Sequence, residues 1–320
     1  DAERRLSYAA LAERAVRCAG WLHGLGVGRG DRVALLLANR SAYLEAVFAC
    51  ARIGVIPVPV YPPTPMSFES GLSKLTYIAR DCDAKAALTT RGFYGSYHLL
   101  LARRRLSALW RSSPALPTLL WITTDDVRGV APETYRNEPG PILFLQYTSG
   151  STSDPKGVVV SHANVLHNCR SAIDHAMIGV SWLPQYHDMG LIGYYLFPVI
   201  VGGTTYGFSP LDFLKRPALW LQTISRVRAT YTSSPNFGYE YCLREDKLKA
   251  ADLADVDLTS LRVMMNAAEP VRAETFSRFF ERFEACGLRR EAHVVAYGLA
   301  ENTLAVSQYG KQILTVNKKL

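Results

Sequence analysis

Residues 145–162 read "LQYTSGSTSDPKGVVVSH", a loop rich in glycine and hydroxyl residues between two apolar runs. The strand-like run "PILFLQYTS" (141–149) leads into the loop, and Ser161 begins a helical pattern after it. Such loops expose backbone N–H groups and hydroxyls that bind phosphate oxygens, and Lys156 adds one cation. The stretch therefore predicts an α/β fold with a phosphate-binding loop at a strand end. A plain hydrophilic connector is the alternative.

The loop differs from the two best-known phosphate-binding motifs. A Walker A sequence has Gly before Lys and a hydroxyl residue after it, whereas here Pro155 precedes Lys156 and Gly157 follows. The G-x-G-x-x-G spacing of dinucleotide-binding folds is missing from the loop as well.

Apolar runs alternate with helical patterns along the rest of the chain. Ser7 is placed to cap a first helix that stops at Gly24–Gly26, and "RVALLLAN" (32–39) reads as a strand buried on both faces. This rhythm implies right-handed βαβ crossovers. Further strand-like runs are "KAALTT" (85–90), "TTYGF" (204–208), "ATYTSS" (229–234), "LRVMMNAA" (261–268) and "HVVAYGLAENT" (293–303).

Composition favours a soluble, cytoplasmic α/β enzyme. Of the 320 residues, 48% are hydrophobic and 20% are charged, and the net charge of +8 is spread out. The basic run at 102–111 reads as a solvated helix face, so we expect no nucleic-acid partner. Six scattered cysteines without CxxC spacing indicate reduced thiols and argue against structural zinc. No apolar run is long enough to cross a membrane, and no amphipathic anchor stands out, so stable membrane insertion is not expected.

Five ordered stretches resemble the fatty acyl-AMP ligases of the adenylate-forming superfamily. They are "TSGSTSDPKG" (148–157), "WLPQYHDMGLIG" (182–193), "SSPNFGYEYC" (233–242), "NAAEPV" (266–271) and "YGLAE" (297–301). The resemblance implies the large N-terminal lobe of that fold and a two-step reaction with ATP and Mg²⁺. A fatty carboxylate would first form acyl-AMP and pyrophosphate, and the acyl group would then pass to the phosphopantetheine of an acyl carrier protein in polyketide or lipopeptide biosynthesis.

The resemblance also implies roles for individual residues. Lys156, Glu301 and His187 would be catalytic, with Glu301 holding Mg²⁺. Phosphate would be bound by Thr148, Ser149, Gly150, Ser151, Thr152 and Lys156. Adenine would contact Asn266, Ala267, Ala268, Glu269, Tyr297, Gly298 and Leu299. The acyl pocket would include His187, Asp188, Met189, Gly190, Pro235, Asn236 and Phe237.

Each role has a structural alternative. Glu301 could simply favour a helix N-terminus, His187 could be a packing residue at a strand end, and Tyr297 could be a core aromatic. Two positions depart from the broad superfamily pattern, since Ser153 replaces a usual Gly and Ala300 replaces a usual Thr. Both departures also occur in fatty acyl-AMP ligases.

The resemblance further predicts that residues 1–320 are an incomplete N-terminal domain whose C-terminal domain is absent. Within it we expect one α/β subdomain at about 61–170 and a second formed by 1–60 with 171–320. This chain alone is then expected to bind substrate weakly and to turn over poorly. The alternatives are a long-chain acyl-CoA synthetase and an inactive nucleotide-binding or docking fragment. Acyl chain length, the acceptor thiol and the oligomeric state are not readable from the sequence.

Overall fold

Strands and helices alternate along the chain in two units, residues 1–165 and 166–320. The α/β fold class predicted from the sequence is thereby confirmed. The computed structural model describes residues 3–37, 41–63, 67–106, 118–127, 138–148, 154–170 and 177–312.

The first unit contains a four-stranded parallel sheet in the order β2-β1-β3-β4. Its strands are β1 (Arg32–Leu36), β2 (Ile56–Pro59), β3 (Ala84–Thr89) and β4 (Leu120–Thr123). The continuous apolar run in β1 is buried, as expected for a strand covered on both faces. The helices of this unit are α1 (Tyr8–Gly24), α2 (Ser41–Arg52), α3 (Phe68–Asp81) and α4 (Arg91–Leu106).

Two sequence-predicted helix starts are confirmed at atomic level. Ser7 Oγ accepts a hydrogen bond from the Ala10 N–H at 3.1 Å and so caps α1. Ser161 Oγ accepts from the Asn164 N–H at 3.1 Å at the start of α5 (His162–Arg170). The rest of the helix predicted after Ser161, residues 171–176, lies outside the described residues.

The loop of residues 148–156 joins an antiparallel pair, β5 (Ile142–Tyr147) and β6 (Gly157–Ser161). In this pair Tyr147 lies opposite Gly157, so the strands end together at the loop. The two apolar runs that flank the loop differ in burial. Phe144 is fully buried in β5, but Val159 in β6 is 57% exposed.

The second unit contains a six-stranded sheet in the order β12-β11-β10-β9-β7-β8. All neighbours are parallel except β12, which is antiparallel to β11. The strands are β7 (Ile178–Ser181), β8 (Thr204–Gly207), β9 (Tyr231–Ser234), β10 (Val263–Asn266), β11 (His293–Gly298) and β12 (Ala305–Gly310).

Helices cover this sheet and supply its aromatic core. Trp220, Phe213 and Phe279 are among the fully buried side chains. A π-helical turn (Ile192–Leu196) joins the helix Asp188–Leu191 to the helix Phe197–Val201. The helices are α6 (Asp188–Leu191), α7 (Phe197–Val201), α8 (Pro210–Lys215), α9 (Ala218–Val227), α10 (Asn236–Cys242) and α11 (Ala273–Phe283).

The observed units differ from the predicted subdomains of 61–170 and of 1–60 with 171–320. Residues 1–60 belong to the first unit, because β1 pairs with both β2 and β3 in one sheet. The boundary at 165 falls inside α5, close to the predicted limit at 170. Sequence order alone did not reveal which strands pair.

In the part of the chain that the structure describes, no helix is long and apolar enough to span a lipid bilayer.

The buried pair of Trp220 and Thr232 provides a test of the second sheet. Trp220 Nε1 donates to Thr232 Oγ1 at 2.8 Å, and this hydroxyl donates to the Val180 carbonyl at 2.8 Å. Thr232→Val leaves a buried indole N–H without an acceptor, which costs about 1–3 kcal/mol. We expect urea denaturation to show this loss. Thr204→Val, at an exposed position of β8, should change stability by less than about 0.5 kcal/mol; equal midpoints for both variants would contradict the assignment.

Candidate active site

Thr148 and Lys156 close the base of the predicted phosphate loop. The Thr148 N–H donates to the Lys156 carbonyl at 3.0 Å, and the Lys156 N–H donates to Thr148 Oγ1 at 3.3 Å. The Lys156 residue is exposed, so its ammonium is accessible to an anion. The other residues predicted to bind phosphate, Ser149, Gly150, Ser151 and Thr152, lie outside the described residues.

A tyrosine that the sequence did not single out anchors this hairpin. The Tyr147 ring lies over Gly157, where an added Cβ would approach Cζ of the ring to 2.9 Å. The Tyr147 hydroxyl donates to Asp81 Oδ2 at 2.5 Å, and Asp81 is the last residue of α3. Burial, and then the hydrogen bond to Asp81, raise the pKa of Tyr147. The hydroxyl therefore stays protonated at neutral pH and fixes the loop base to α3.

The predicted residues of the second unit meet at one edge of its sheet. β7, β9, β10 and β11 are parallel neighbours, so their carboxyl ends lie side by side. His187 follows β7, Pro235 follows β9, Asn266 ends β10 and Gly298 ends β11. The sequence prediction that motif residues lie at strand ends is confirmed for these four groups.

The β10 loop holds the predicted adenine residues 266–269. Asn266 is fully buried, and its Nδ2 donates to Asn236 Oδ1 at 3.0 Å. Ala267 is also buried, and Ala268 adopts φ of 72°, in the left-handed region that few non-glycine residues occupy. The Glu269 carboxylate accepts a hydrogen bond from the Phe237 N–H. Its side chain is thus engaged within the protein, which leaves the loop backbone and the exposed Ala268 available to the predicted adenine.

The β11 turn carries the predicted residues 297–301. Tyr297 is 61% exposed, which excludes the alternative that it is a core aromatic. Gly298 lies so close to the chain that an added Cβ would be 2.2 Å from the Leu304 carbonyl oxygen. The Leu299 N–H donates to that same oxygen at 3.0 Å and closes the turn. The exposed tyrosine ring can stack on a base at this edge.

Glu301 follows in the same turn with an exposed carboxylate. Within the described ranges, no three His, Cys, Asp or Glu side chains converge on a metal position. A single carboxylate suits Mg²⁺, which usually takes its remaining ligands from water and substrate phosphates. Glu301 therefore fits the predicted role, provided that a polyphosphate supplies the other ligands.

His187 and Asp188 form a close pair at the start of α6. Nδ1 of His187 lies 2.6 Å from Asp188 Oδ1, and the same carboxylate oxygen accepts from the Met189 N–H at 2.6 Å. Burial acts to lower the pKa of His187, but the hydrogen bond and the charge of Asp188 outweigh it and raise the pKa. Asp188, Met189 and Gly190 are buried, whereas His187 is exposed. Of these four predicted acyl-pocket residues, only His187 is exposed to solvent.

Phe237 and Asn236 behave differently, although both were predicted to border the acyl pocket. The Phe237 ring is 45% exposed and lies 5.6 Å from the Trp182 ring in an edge-on arrangement. The Asn236 side chain is instead 5% exposed and bonded to Asn266 and Thr275. Pro235 only leads into α10. Trp182 itself stacks on Phe213 at 4.1 Å, a contact that the sequence did not predict.

Gln185, an unusual residue in its motif, is also explained. It is 2% exposed and forms a side-chain hydrogen bond with Tyr195 in the π-helical turn. Tyr194 in the same turn donates to Ser233 Oγ at 2.7 Å. These bonds hold the segment after β7 against β9.

The fold places the motif residues of the second unit at the carboxyl ends of one parallel sheet, where open α/β sheets commonly bind ligands. The chain belongs to the AMP-binding enzyme family, which matches residues 1–319.

Its relatives are similar over most of the chain. It is 38% identical over 311 residues to the medium-chain-fatty-acid–[acyl-carrier-protein] ligase JamA of Moorena producens (strain JHB), covering 94% of this chain and 50% of that protein. It is 33% identical to the ligase TtuA of Teredinibacter turnerae, named for the same activity, covering 87% and 48%.

The fold matches a solved structure equally well. The fatty acyl-adenylate ligase from L. pneumophila, in complex with acyl adenylate and pyrophosphate, superposes with a TM-score of 0.82 at 34% identity. That match covers 96% of this chain and 52% of the other. The chain spans about half the length of the relatives it matches.

The His187–Asp188 pair gives a pH prediction. A raised folded pKa means that the pair stabilises the protein below pH 6.5 and that this contribution is lost as pH rises through the folded pKa. Asp188→Asn removes the charge, so the pKa of His187 should fall and the stability deficit of the variant should be larger at pH 5.5 than at pH 9. NMR titration of the imidazole and urea denaturation at both pH values measure this. An unchanged His187 titration would contradict the pairing.

Proposed function

We propose that the protein to which this chain belongs binds ATP and a fatty acid and carries out adenylation, the first half-reaction of a fatty acyl-AMP ligase. The observation that carries the proposal is the meeting of four motif groups at the carboxyl edge of one parallel sheet. The family membership and the names of the relatives support it. Since the chain spans about half of each relative, the activity is proposed for the protein to which these residues belong.

The chemistry needs orientation more than proton transfer. A carboxylate oxygen of the fatty acid attacks the α-phosphorus, the bond from that phosphorus to the bridging oxygen of pyrophosphate breaks, and pyrophosphate leaves. A carboxylate is already a nucleophile at neutral pH, so no general base is required. The protein must instead align the reactants and neutralise charge on the departing phosphates.

Lys156 and the hydroxyl residues beside it are proposed to bind the phosphates. The paired hydrogen bonds between Thr148 and Lys156 hold both ends of the loop. We retain Ser149, Gly150, Ser151 and Thr152 as predicted phosphate contacts. Lys156 offers a cation to the leaving pyrophosphate, and Glu301 would hold Mg²⁺, which supplies further neutralisation when bound.

The second unit is proposed to bind the adenine and the acyl chain. Tyr297 would stack on adenine, and the backbone of 266–269 and of Gly298 and Leu299 would line the ring edge. Phe237 and Trp182 would contact the acyl chain, whose burial is worth about 0.8 kcal/mol per methylene. His187, beside Asp188, would lie at the carboxylate end.

An acyl carrier protein is proposed as the partner in the second half-reaction. The phosphopantetheine thiol would attack the acyl carbonyl, and AMP would leave. The names of JamA and TtuA support this acceptor. Offering a holo carrier protein and coenzyme A in parallel to the acyl-adenylate complex tests it, since transfer to coenzyme A alone would make the protein an acyl-CoA synthetase. A cytoplasmic location stays a prediction.

A thermal shift with a non-hydrolysable acyl-adenylate mimic tests the first half-reaction. A ligand at about 100 times its Kd adds about 2.7 kcal/mol, so we expect the melting temperature to rise by a few degrees. Mimics with longer acyl chains should stabilise more than AMP alone. A mimic that stabilises no more than AMP would argue against an acyl pocket.

The role of Lys156 is tested separately. Lys156→Ala should weaken binding of ATP far more than binding of AMP, because the lysine faces the β- and γ-phosphates in this proposal. Lys74→Ala, at an exposed position of α3 in the same unit, is the matched control. Isothermal titration calorimetry with ATP and with AMP measures the ratio of the two affinities in each variant. An unchanged ATP affinity in Lys156→Ala would remove the phosphate role and favour a silent fragment.

A further inference from the structure

The side chain of Asn236 holds both ends of the β10 loop. Its Oδ1 accepts hydrogen bonds from Asn266 Nδ2 at 3.0 Å and from the Arg272 N–H at 3.1 Å. Residues 266 and 272 bracket the five loop residues 267–271. Since Asn236 opens α10, the amide joins that helix to each end of the loop.

The opposite side of the same amide is also engaged. Asn236 Nδ2 donates to Thr275 Oγ1 at 3.1 Å, and the Thr275 hydroxyl donates to the Glu240 carboxylate. Asn236 and Thr275 are 5% exposed or less. A neutral amide fits this position because it accepts on one side and donates on the other, which a carboxylate cannot do.

Glu269, in the middle of the loop, makes a second connection to α10. Its Oε1 accepts from the Phe237 N–H, one of the first amides of a helix whose N-cap residue, Pro235, provides no side-chain bond. Helix-starting amides need such partners. The loop therefore supplies the cap that the α10 sequence lacks.

Phe237 connects the two predicted subsites. Its ring is 45% exposed and contacts Trp182 on the proposed acyl side, while its backbone N–H is bonded to Glu269 of the proposed adenine loop. A backbone shift at residue 237 on acyl binding would move both the ring and the amide that Glu269 holds. The same contact transmits a shift of the loop in the other direction.

We propose that Glu269 and Asn236 are positioning residues that couple fatty-acid binding to nucleotide binding. The inference rests on the proposed function, because it takes the β10 loop as adenine-binding and Phe237 as acyl-binding. Coupling of this kind is reciprocal, so each ligand must tighten the other by the same factor. The coupling would favour the complex with both substrates bound over the complexes that hold only the nucleotide or only the fatty acid.

The test is an AMP titration by calorimetry of the protein to which these residues belong, without and with saturating decanoate as the fatty-acid probe. In the unmodified chain we expect decanoate to lower the Kd for AMP by about fivefold or more, the lower end of typical coupling. The coupling ratio is the Kd for AMP without decanoate divided by the Kd with decanoate, and Glu269→Ala should bring it close to one. Glu269→Gln should keep most of it, because the amide oxygen can still accept from the Phe237 N–H.

Glu274→Ala is the matched control, since it removes an exposed carboxylate on α11, five residues away. It should keep the coupling ratio. Asn236→Ala should also bring the ratio of the two Kd values for AMP close to one. Because this variant leaves buried groups unpaired, its urea midpoint is measured first. Glu269 is exposed, and its variants test the proposal even if Asn236→Ala unfolds.

The outcomes separate this inference from the proposed function. AMP binding with the same Kd in the presence and absence of decanoate would overturn the coupling and leave the nucleotide site standing. A coupling ratio in Glu269→Ala equal to that of the unmodified chain, or an equal loss in Glu274→Ala, would also overturn it. Failure of AMP to bind at all would overturn the proposed function, and the coupling with it.

Discussion

Parallel pairing of β7, β9, β10 and β11 is the constraint on which the second unit depends. Each parallel connection needs a crossover that returns the chain to the same starting edge, so the four strands all end at the opposite edge. Residues as far apart in sequence as 187 and 301 therefore lie beyond the carboxyl ends of strands of the same sheet. The antiparallel strand β12 folds back on β11 and closes the turn that carries Glu301.

Strand ends provide position but not rigidity, because loops have few partners of their own. Here a buried amide and a partly exposed hydroxyl supply those partners. Asn236 uses both ends of its amide, and Tyr147 fixes the hairpin of the first unit through Asp81. Hydrogen bonds of this type contribute only about 1 kcal/mol each, but losing one partner of a buried pair costs more. The β10 loop is thus held at both ends.

Much of the fold was predictable from the sequence, since strand and helix patterns are local. Apolar runs marked β1, β3, β9 and β10, and the hydroxyls of Ser7 and Ser161 marked two helix starts. The partition into units was not predictable, because pairing of β1 with β3 joins segments about 50 residues apart and leaves no local trace. Only the end of α4 was anticipated, in the helix face predicted at 102–111, and the strand β12 was missed, because neither element shows a clear periodic pattern.

The site residues, like the fold, were predictable only where the signal is local in the sequence. The motifs identified the strand-end positions correctly, but side-chain direction depends on long-range partners. Glu269 and Asn236 were assigned to contacts with ligand, whereas their side chains bond to Phe237, Asn266 and Thr275. Tyr147 and Trp182 lie within or beside the quoted stretches, and only their contacts with Asp81 and Phe213 reveal what they do.

The proposed reaction needs no general base, and neutral tethers such as Asn236 hold the described part of the proposed site. When the nucleophile is already a carboxylate, the rate depends on how well its oxygen is held in line with the phosphorus–oxygen bond that breaks. A misplacement of about 1 Å can cost a hundredfold in rate. Neutral side chains such as Asn236 suit this task, because their bonds do not change with pH. A connection between the proposed acyl and adenine loops would then act on the relative position of the two substrates.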